Sequence, residues 1–128
     1  MLFILHTFSA QADEVLNVDR ALSPNIHLSF ANDDDIEPKD SDFAILNYVL
    51  MSNEVGQRYA VITLVNTSSG HRSLEQDHLI ALFADGTRRA PTAEKLNFKG
   101  NEIQSITVSF GASKFPILAV FSSNDTQQ

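Results

Sequence analysis

Residues 102–110 read Glu-Ile-Gln-Ser-Ile-Thr-Val-Ser-Phe, and this stretch decides the fold class. Ile106, Val108 and Phe110 recur at every second position, with Thr and Ser between them. A period of two is that of a β-strand, whose side chains point alternately to opposite faces, whereas a helix would repeat about every 3.6 residues. We therefore predict a strand here, and we expect its face with Ile106, Val108 and Phe110 to be buried.

The same pattern extends along the chain on both sides of this strand. Short runs rich in Val, Ile, Phe and Tyr alternate with segments rich in Gly, Pro, Asn, Asp and Ser, which is typical of strands joined by turns. The predicted strands cover residues 15–22, 26–30, 43–51, 59–66, 78–84, 102–110 and 116–122, and a short eighth strand covers residues 87–90.

Seven or eight short strands predict an all-β fold, namely an antiparallel β-sandwich, with a small up-and-down barrel as the alternative. Only residues 74–78 and 92–96 suggest helix, and each is a single short turn. Asp85-Gly86 predicts a type I′ hairpin turn, which requires positive φ at both residues. The predicted core comprises the apolar side chains Phe30, Ile45, Val61, Leu64, Leu82, Ile106, Val108, Phe110, Leu118 and Val120.

Length, charge and cysteine content limit the classes of function. The 128 residues suffice for one domain, which we place at residues 13–122, followed by a polar tail at 123–128. The net charge of −7 repels phosphate backbones and anionic lipid, so we expect no nucleic-acid partner. Because the chain has no cysteine, disulfides, thiolate catalysis and Cys-ligated metals are excluded. No apolar run reaches the roughly 20 residues of a membrane span.

Residues 1–12 allow two interpretations. They form a short apolar run that closes on Ala10-Gln11-Ala12 and precedes Asp13, which is how a signal peptide ends. No Lys or Arg precedes the run, however, and the alternation of residues 2–7 also fits a first strand. We favour the signal peptide, and we therefore expect a periplasmic or secreted protein.

An acidic segment, residues 32–42, carries −5 of the net charge. We expect a solvated loop without metal, because neighbouring like charges repel one another and favour hydrated, extended chain. If the segment bound calcium, the carboxylates of Asp33, Asp35 and Glu37 would be the ligands, although the spacing of an EF-hand is absent. We expect no other cofactor.

The four histidines are the other candidate metal ligands, and they are His6, His27, His71 and His78. His71 and His78 lie in one neighbourhood of the sequence, and Met51 would be a soft ligand in an exported copper protein. Their spacing is not diagnostic of a metal site, and histidines in loops commonly bind no metal. We therefore expect no metal at these histidines.

Between Tyr59 and Phe121 the chain carries, in order, Tyr-Ala-Val-Ile-Thr-Leu-Val-Asn-Thr-Ser, Ala-Asp-Gly-Thr, Phe-Lys-Gly-Asn-Glu and Phe-Pro-Ile-Leu-Ala-Val-Phe. This order resembles small immunoglobulin-like domains of exported bacterial proteins. The resemblance implies an immunoglobulin-like sandwich, secreted or periplasmic, that acts as a binding or accessory module. It implies no catalytic residue.

The positions of Lys99 and Pro116 resemble a second family, the self-cleaving bacterial β-sandwich proteins. In that family a lysine ahead of the penultimate strand becomes joined to an Asp that precedes the proline opening the last strand. Lys99 and Pro116 occupy those places, but Phe115 stands where the Asp would be. The resemblance implies chain cleavage near Phe115-Pro116 and a crosslink at Lys99, and Phe115 puts that chemistry in doubt.

Two functions follow from these patterns. The first is an exported module that binds a protein or a cell-envelope ligand without catalysis, since no catalytic motif stands out and a sandwich offers loops and edge strands. Edge strands could also join copies of the chain into a homo-oligomer. The alternative is a self-processing endopeptidase that uses Lys99, Phe115 and Pro116.

Overall fold

A computed structural model of the protein describes residues 16–19 and 36–125, and its regular structure is almost entirely β-strand. Two single 3-10 turns, at Gln76–His78 and Ser123–Asp125, are the only helical elements of the described residues. The strands are β1 (Asn17–Asp19), β2 (Phe43–Ser52), β3 (Gln57–Asn66), β4 (Arg72–Glu75), β5 (Ile80–Phe83), β6 (Arg88–Arg89), β7 (Lys95–Phe98), β8 (Ile103–Ala112) and β9 (Ile117–Phe121).

The strands form three antiparallel sheets arranged in two layers. One layer is the four-stranded sheet with strand order β1-β2-β3-β8, which we call the long sheet because β2, β3 and β8 have ten residues each. The pair β4-β7 and the three-stranded sheet β6-β5-β9 make up the other layer, which we call the short-stranded layer because none of its strands exceeds five residues.

The core lies between the two layers. In β3 the alternation of the sequence places Ala60, Ile62 and Leu64 on the inner face, where each is fully buried. Phe43 of β2 meets Phe98 of β7 edge to face, with ring centroids 5.0 Å apart. The same cluster contains buried apolar side chains from β4, β5, β8 and β9, namely Leu74, Ala81, Phe83, Val108, Phe110, Ile117 and Val120. The predicted all-β antiparallel sandwich is confirmed.

The structure corrects several local predictions. Nine strands are described, because β4 and β7 form strands that the pattern did not predict. The predicted helix at 92–96 is wrong, since Lys95 and Leu96 begin β7, and that at 74–78 shrinks to the 3-10 turn Gln76–His78. The strand predicted at 26–30, and Phe30 with it, lies outside the described residues.

Two further corrections concern side-chain placement. Val61 cannot share the inner face with Leu64, because residues three apart in a strand point to opposite faces, and Val61 points outward and is half-buried. The hairpin at Asp85-Gly86 is confirmed, but its turn type is wrong, since among the described residues only Asn101 and three glycines have positive φ. Gly86, at φ 91°, closes a three-residue hairpin loop.

The described part of the predicted tail forms a turn against β2. Within Ser123–Asp125, the Asn124 side-chain amide donates to the Phe43 carbonyl at 2.7 Å. The Asp125 carboxylate accepts from the buried Ser122 hydroxyl at 2.7 Å. Residues 1–12 lie outside the described part of the chain. The described residues contain no helix that is both long and apolar enough to cross a membrane.

Candidate functional site

The side of the long sheet that points away from the core carries no charged side chain. The strand registers align its residues in rows across the sheet, because paired residues of neighbouring strands point to the same side. We call this surface the outer face, and it consists of Val18, Ala44, Leu46, Asn47, Val49, Met51, Tyr59, Val61, Thr63, Val65, Ile103, Ser105, Thr107 and Ser109.

Several of the largest exposed apolar side chains of the described residues lie on the outer face. Val18 is 71% exposed, Ile103 58%, Leu46 52% and Val49 43%. Antiparallel sheets that face water on one side usually carry polar residues there. An exposed apolar surface of neighbouring residues marks an interaction site rather than a solvated face. The outer face therefore differs in composition from an ordinary solvated sheet surface.

Two of the polar side chains of the outer face keep a hydrogen-bond partner when water leaves. The Thr63 and Ser105 hydroxyls, which lie opposite each other on β3 and β8, are hydrogen-bonded at 2.7 Å. Burying a polar group is costly only when it loses its hydrogen bonds, and burying a charge is costlier still. The Thr63–Ser105 pair and the absence of charged side chains both lower the free-energy cost of desolvating the outer face.

Next to the outer face, β8 is the last described strand of the long sheet, and part of its backbone points away from β3. The Asn66 amide donates to the Glu102 carbonyl at 3.0 Å, so the backbone groups of even-numbered residues up to Val108 point toward β3. Those of Ile103, Ser105 and Thr107 point away from β3. No strand among the described residues pairs with them, and we call this stretch the open edge.

At the C-terminal end of β8, residues of the short-stranded layer and of the turn before β7 hydrogen-bond to the outward carbonyls. The Thr92 amide donates to the Ser109 carbonyl at 2.8 Å. A bulge opposite Arg58 and Tyr59 reverses the alternation, so that the carbonyls of Phe110 and Ala112 point outward. Both accept from the Arg89 guanidinium, at 2.7 and 3.1 Å, and that guanidinium stacks on Phe83. The open edge is therefore confined to residues 103–107.

Lys99, Phe115 and Pro116 are not brought together by the fold. Lys99 is exposed in the turn before β8, where its amide donates to a Glu102 carboxylate oxygen at 2.6 Å. Phe115 and Pro116 are exposed in the turn after β8. Ten residues of strand separate the two turns, which corresponds to about 30 Å at the usual rise per residue. This placement does not favour a crosslink between the two turns.

The candidate calcium ligands are only partly visible. Asp33 and Asp35 lie outside the described residues. Glu37 is exposed, and its carboxylate pairs with the Arg88 guanidinium at 3.7 Å. Across residues 16–19 and 36–125 no group of three His, Asp or Glu side chains is arranged to hold a metal ion.

The two described histidines have different surroundings. His71 is exposed, whereas His78 is buried and its ring lies 5.6 Å from that of Phe43. The His78 Nδ1 atom accepts a hydrogen bond from the Glu75 amide at 2.9 Å, so the neutral ring suits this place. Burial lowers the pKa of His78 below its usual 6.5. His78 is thus part of the packing of the short-stranded layer, which its place in the sequence did not reveal.

A wide, shallow groove of about 590 Å³ lies beside His78 on the short-stranded layer. Its lining is mostly charged, with Glu75, Asp77, Glu94 and Lys95 among its residues. The Lys39 ammonium lies 3.9 Å from the Glu75 carboxylate at this side of the molecule. Carboxylates and ammonium groups on an open surface are well solvated. The groove therefore lacks the enclosed, convergent polar groups of a small-molecule site.

Comparison of the chain with protein-family models, with curated proteins and with solved structures gives no match. The resemblances to immunoglobulin-like domains and to self-cleaving sandwich proteins therefore stay predictions. Among the described residues, the outer face and the open edge are the features that differ most from an ordinary solvated surface.

Proposed function

We propose that this protein is an exported β-sandwich module without catalytic activity that binds another protein through the outer face of the long sheet. The observation that carries the proposal is the exposure of uncharged, largely aliphatic side chains across four strands of a chain with net charge −7. Burial of such side chains against a partner contributes about 25 cal/mol for each Å² removed from water.

The chemistry of the outer face favours a protein over a cell-envelope polysaccharide. Sugars bind to proteins by stacking on aromatic rings and by hydrogen bonding to carboxylates and amides. Tyr59 is the only aromatic residue of the outer face, and no carboxylate is present there. Val, Ile and Leu instead suit the apolar centre of a protein interface, from which charged residues are depleted.

The rigidity of the support also favours recognition of a preformed partner surface. The outer face lies on strands of ten residues that are paired along most of their length. Its inner side is anchored by fully buried residues such as Ile62 and Leu64. A surface that is already ordered loses little conformational entropy on binding, so more of the contact energy appears as affinity.

Export is the second part of the proposal, and it rests on the sequence of residues 1–12. A signal peptidase that recognises Ala10-Gln11-Ala12 would leave a mature chain that begins at Asp13. Intact-mass spectrometry of the protein from the periplasm or medium of the producing cells tests this. The expected mass is that of residues 13–128, whereas a chain found only in the cytosol with Met1 would contradict export.

Site-specific photo-cross-linking in the producing cells tests the binding surface. A photoreactive residue at Val49 or Ile103 should capture the same partner protein, because both positions lie on the outer face. The same residue at Lys95, which is exposed on β7 in the other layer, should capture none. Cross-links from Val49 to the protein's own chain, or equal capture from all three positions, would contradict the proposal.

The captured partner should then be purified and its affinity measured with two matched variants. Val49→Lys places a charge within the outer face, and we expect it to weaken binding by about tenfold or more, because the ammonium must be desolvated. Val55→Lys makes the same change at the tip of the β2–β3 hairpin, where Val55 is 64% exposed, and should leave the affinity unchanged. Equal losses would contradict the assignment of the surface, as would binding to isolated cell-wall polysaccharide that Val49→Lys abolishes.

A further inference from the structure

The open edge of β8 differs from the other strand edges among the described residues. Natural sheets avoid edge-to-edge association with short edge strands, charged residues, proline or covering segments. β6 has only two residues, both arginine, and β4 and β7 carry charged residues, Arg72 and Glu75 on β4 and Lys95 on β7. β9 is preceded by Pro116, which cannot donate a backbone hydrogen bond to a neighbouring strand.

Within the described part of the chain, β8 has none of these protections along residues 103–107. Its ten residues, Ile103–Ala112, include no charged residue and no proline. The nearest acid in the sequence is Glu102, which lies just outside the open edge and is engaged by the Lys99 amide. An uncharged edge of a ten-residue strand, whose outward amides and carbonyls pair with no described strand, is a template for pairing with another strand.

The open edge is complementary to a second copy of itself. Two identical strands can pair antiparallel about a two-fold axis, so that each donor of one copy meets an acceptor of the other. The outward-pointing residues Ile103, Ser105 and Thr107 are symmetric about Ser105. With Ser105 on the axis, Ser105 would pair with Ser105 of the second copy, and Ile103 with Thr107 of the second copy.

We propose that two copies of this protein form a homodimer by antiparallel pairing of their open edges, with Ser105 at the two-fold axis. Each outward-pointing residue exchanges an amide and a carbonyl with its counterpart, which gives six backbone hydrogen bonds. The register extends no further, because the Ser109 carbonyl already accepts from Thr92. The two long sheets become one eight-stranded sheet, and the two outer faces become one continuous surface.

Charge favours a second copy at this edge rather than elsewhere. Each chain carries −7, so two copies repel one another wherever their acidic surfaces approach. The acidic groove with Glu75, Asp77 and Glu94 belongs to the short-stranded layer. Repulsion between charges farther apart than about 8 Å is largely screened at physiological salt. Pairing through the uncharged open edge therefore brings two acidic chains together with little repulsion.

The dimer does not depend on the proposed partner binding, and a charge-swap experiment tests it directly. Ser105→Glu and Ser105→Lys each place two like charges opposite each other at the axis, where paired Cα atoms lie about 5.5 Å apart. We expect each variant alone to dimerise about tenfold more weakly than the wild type or worse, since like charges opposite each other on paired strands are destabilising. An equimolar mixture should form a heterodimer, because Glu then faces Lys.

Sedimentation velocity from micromolar to near-millimolar concentration measures the proportion of dimer in four samples. These are the purified wild type, each Ser105 variant and the equimolar mixture of the two variants. Circular dichroism melts of each variant show whether it is folded. The wild type should be a dimer at the upper concentrations, and the mixture should regain the dimer that each variant has lost. A wild type that stays monomeric throughout would overturn the proposal, and a mixture that stays monomeric while the wild type dimerises would overturn the register.

A second pair of variants separates backbone pairing from contact between side chains. Thr107→Pro removes an amide that points away from β3, so it spares the pairing with β3 and should weaken the dimer about tenfold. Thr107→Val keeps that amide and should dimerise like the wild type. A dimer that survives Thr107→Pro but is lost on Thr63→Glu, in the middle of the outer face, would show that copies stack through their outer faces and would overturn the edge pairing.

Discussion

The long sheet and the short-stranded layer share one core, but their outward-pointing side chains differ in charge. On the inner side both layers bury apolar side chains, and Ile62 of β3 and Phe83 of β5 are equally buried. On the outer side the short-stranded layer carries Arg, Lys and Glu on strands of two to five residues. The long sheet carries uncharged side chains on strands of ten residues.

On the proposals made above, one layer of this small sandwich is protected against association and the other is suited to it. Short strands and charged residues discourage other chains from adding to a sheet. Among the described strands, the protection is lacking where β8 ends the long sheet, and Ile103, one of the exposed aliphatic side chains of the outer face, lies on that strand. We propose that both features serve binding, since chance exposure usually leaves apolar residues scattered singly.

The largest effect is expected from comparing neighbouring residues of β2 that point to opposite sides. Leu50 is buried in the core, whereas Val49 is 43% exposed on the outer face. Leu50→Ala should lower the free energy of unfolding by about 2–5 kcal/mol through lost burial and a new cavity. Val49→Ala should lower it by less than about 1 kcal/mol. Urea denaturation of the monomer measures both, and similar losses would mean that the outer face is covered within the chain.

A second comparison concerns the turn that carries the chain from the short-stranded layer to β8. A Cβ atom added to Gly100 would lie 2.1 Å from the Ser69 carbonyl oxygen, so the backbone of one turn must move. Gly100→Ala should therefore destabilise the fold by about 1–3 kcal/mol.

Gly70→Ala is the matched control for this turn. A Cβ atom there would meet the end of the flexible Arg72 side chain at 3.3 Å, which can move aside. Thermal melts of the two variants should differ by several degrees, since about 1 kcal/mol shifts the melting temperature of a domain of this size by a few degrees. Equal melting temperatures would show that the two turns are not packed as described.

A third test uses the pH dependence of the short-stranded layer. Burial lowers the pKa of His78 in the folded chain below its unfolded value near 6.5, so the unfolded state binds more protons below that pH. The stabilisation is complete above pH 6.5 and is lost as pH falls from there through the lowered pKa. We expect His78→Gln to flatten the dependence of unfolding free energy on pH in this range.

His71→Gln is the control for this test, because His71 is exposed. It should retain the wild-type dependence, measured by urea denaturation at a series of pH values between about 5 and 8, the range in which histidine titrates. If His71→Gln flattened the curve and His78→Gln did not, the assignment of the pH dependence to the buried ring would be wrong.

The smallest effect is expected from a surface ion pair where the two layers meet. The Arg72 guanidinium donates to the Asp42 carboxylate at 2.9 Å, and both side chains are about half exposed. Exposed pairs contribute about 0–1 kcal/mol and are screened by salt. Asp42→Asn should therefore change the unfolding free energy by less than about 1 kcal/mol at low salt, and by nothing measurable in 1 M NaCl. A loss above 2 kcal/mol would indicate a structural role that exposure does not suggest.

The sequence was sufficient to predict the long strands because alternation over eight or more residues leaves little ambiguity. β4 and β7 were missed because four residues are too short for a period, and Leu74 is the only apolar residue of β4. The orientation of β3 was also ambiguous. Val61 and Ile62 are both apolar, so hydrophobicity alone could not tell which face is buried. The inner face of β3 is fixed by packing against the short-stranded layer, which contributes Leu74 and Phe98 to the core.

The sequence could predict the composition of the open edge but not its position at the end of the sheet. The absence of charge and proline from residues 103–112 could be read directly. Its meaning depends on β8 ending the sheet, which is a property of topology rather than of local pattern. Lys99 and Pro116 show another limit of the sequence, since a family resemblance singled them out and only the fold shows that the ten residues of β8 lie between them.

Amide hydrogen exchange along β8, followed residue by residue by NMR at several protein concentrations, shows directly whether two open edges pair. In dilute protein the amides of Gln104, Ile106 and Val108, which point toward β3, should exchange slowly, and those of Ser105 and Thr107 should exchange quickly. At high concentration Ser105 and Thr107 should become protected as two open edges pair. Fast exchange at every concentration would contradict pairing, and slow exchange at every concentration would show that the edge is covered within a single chain.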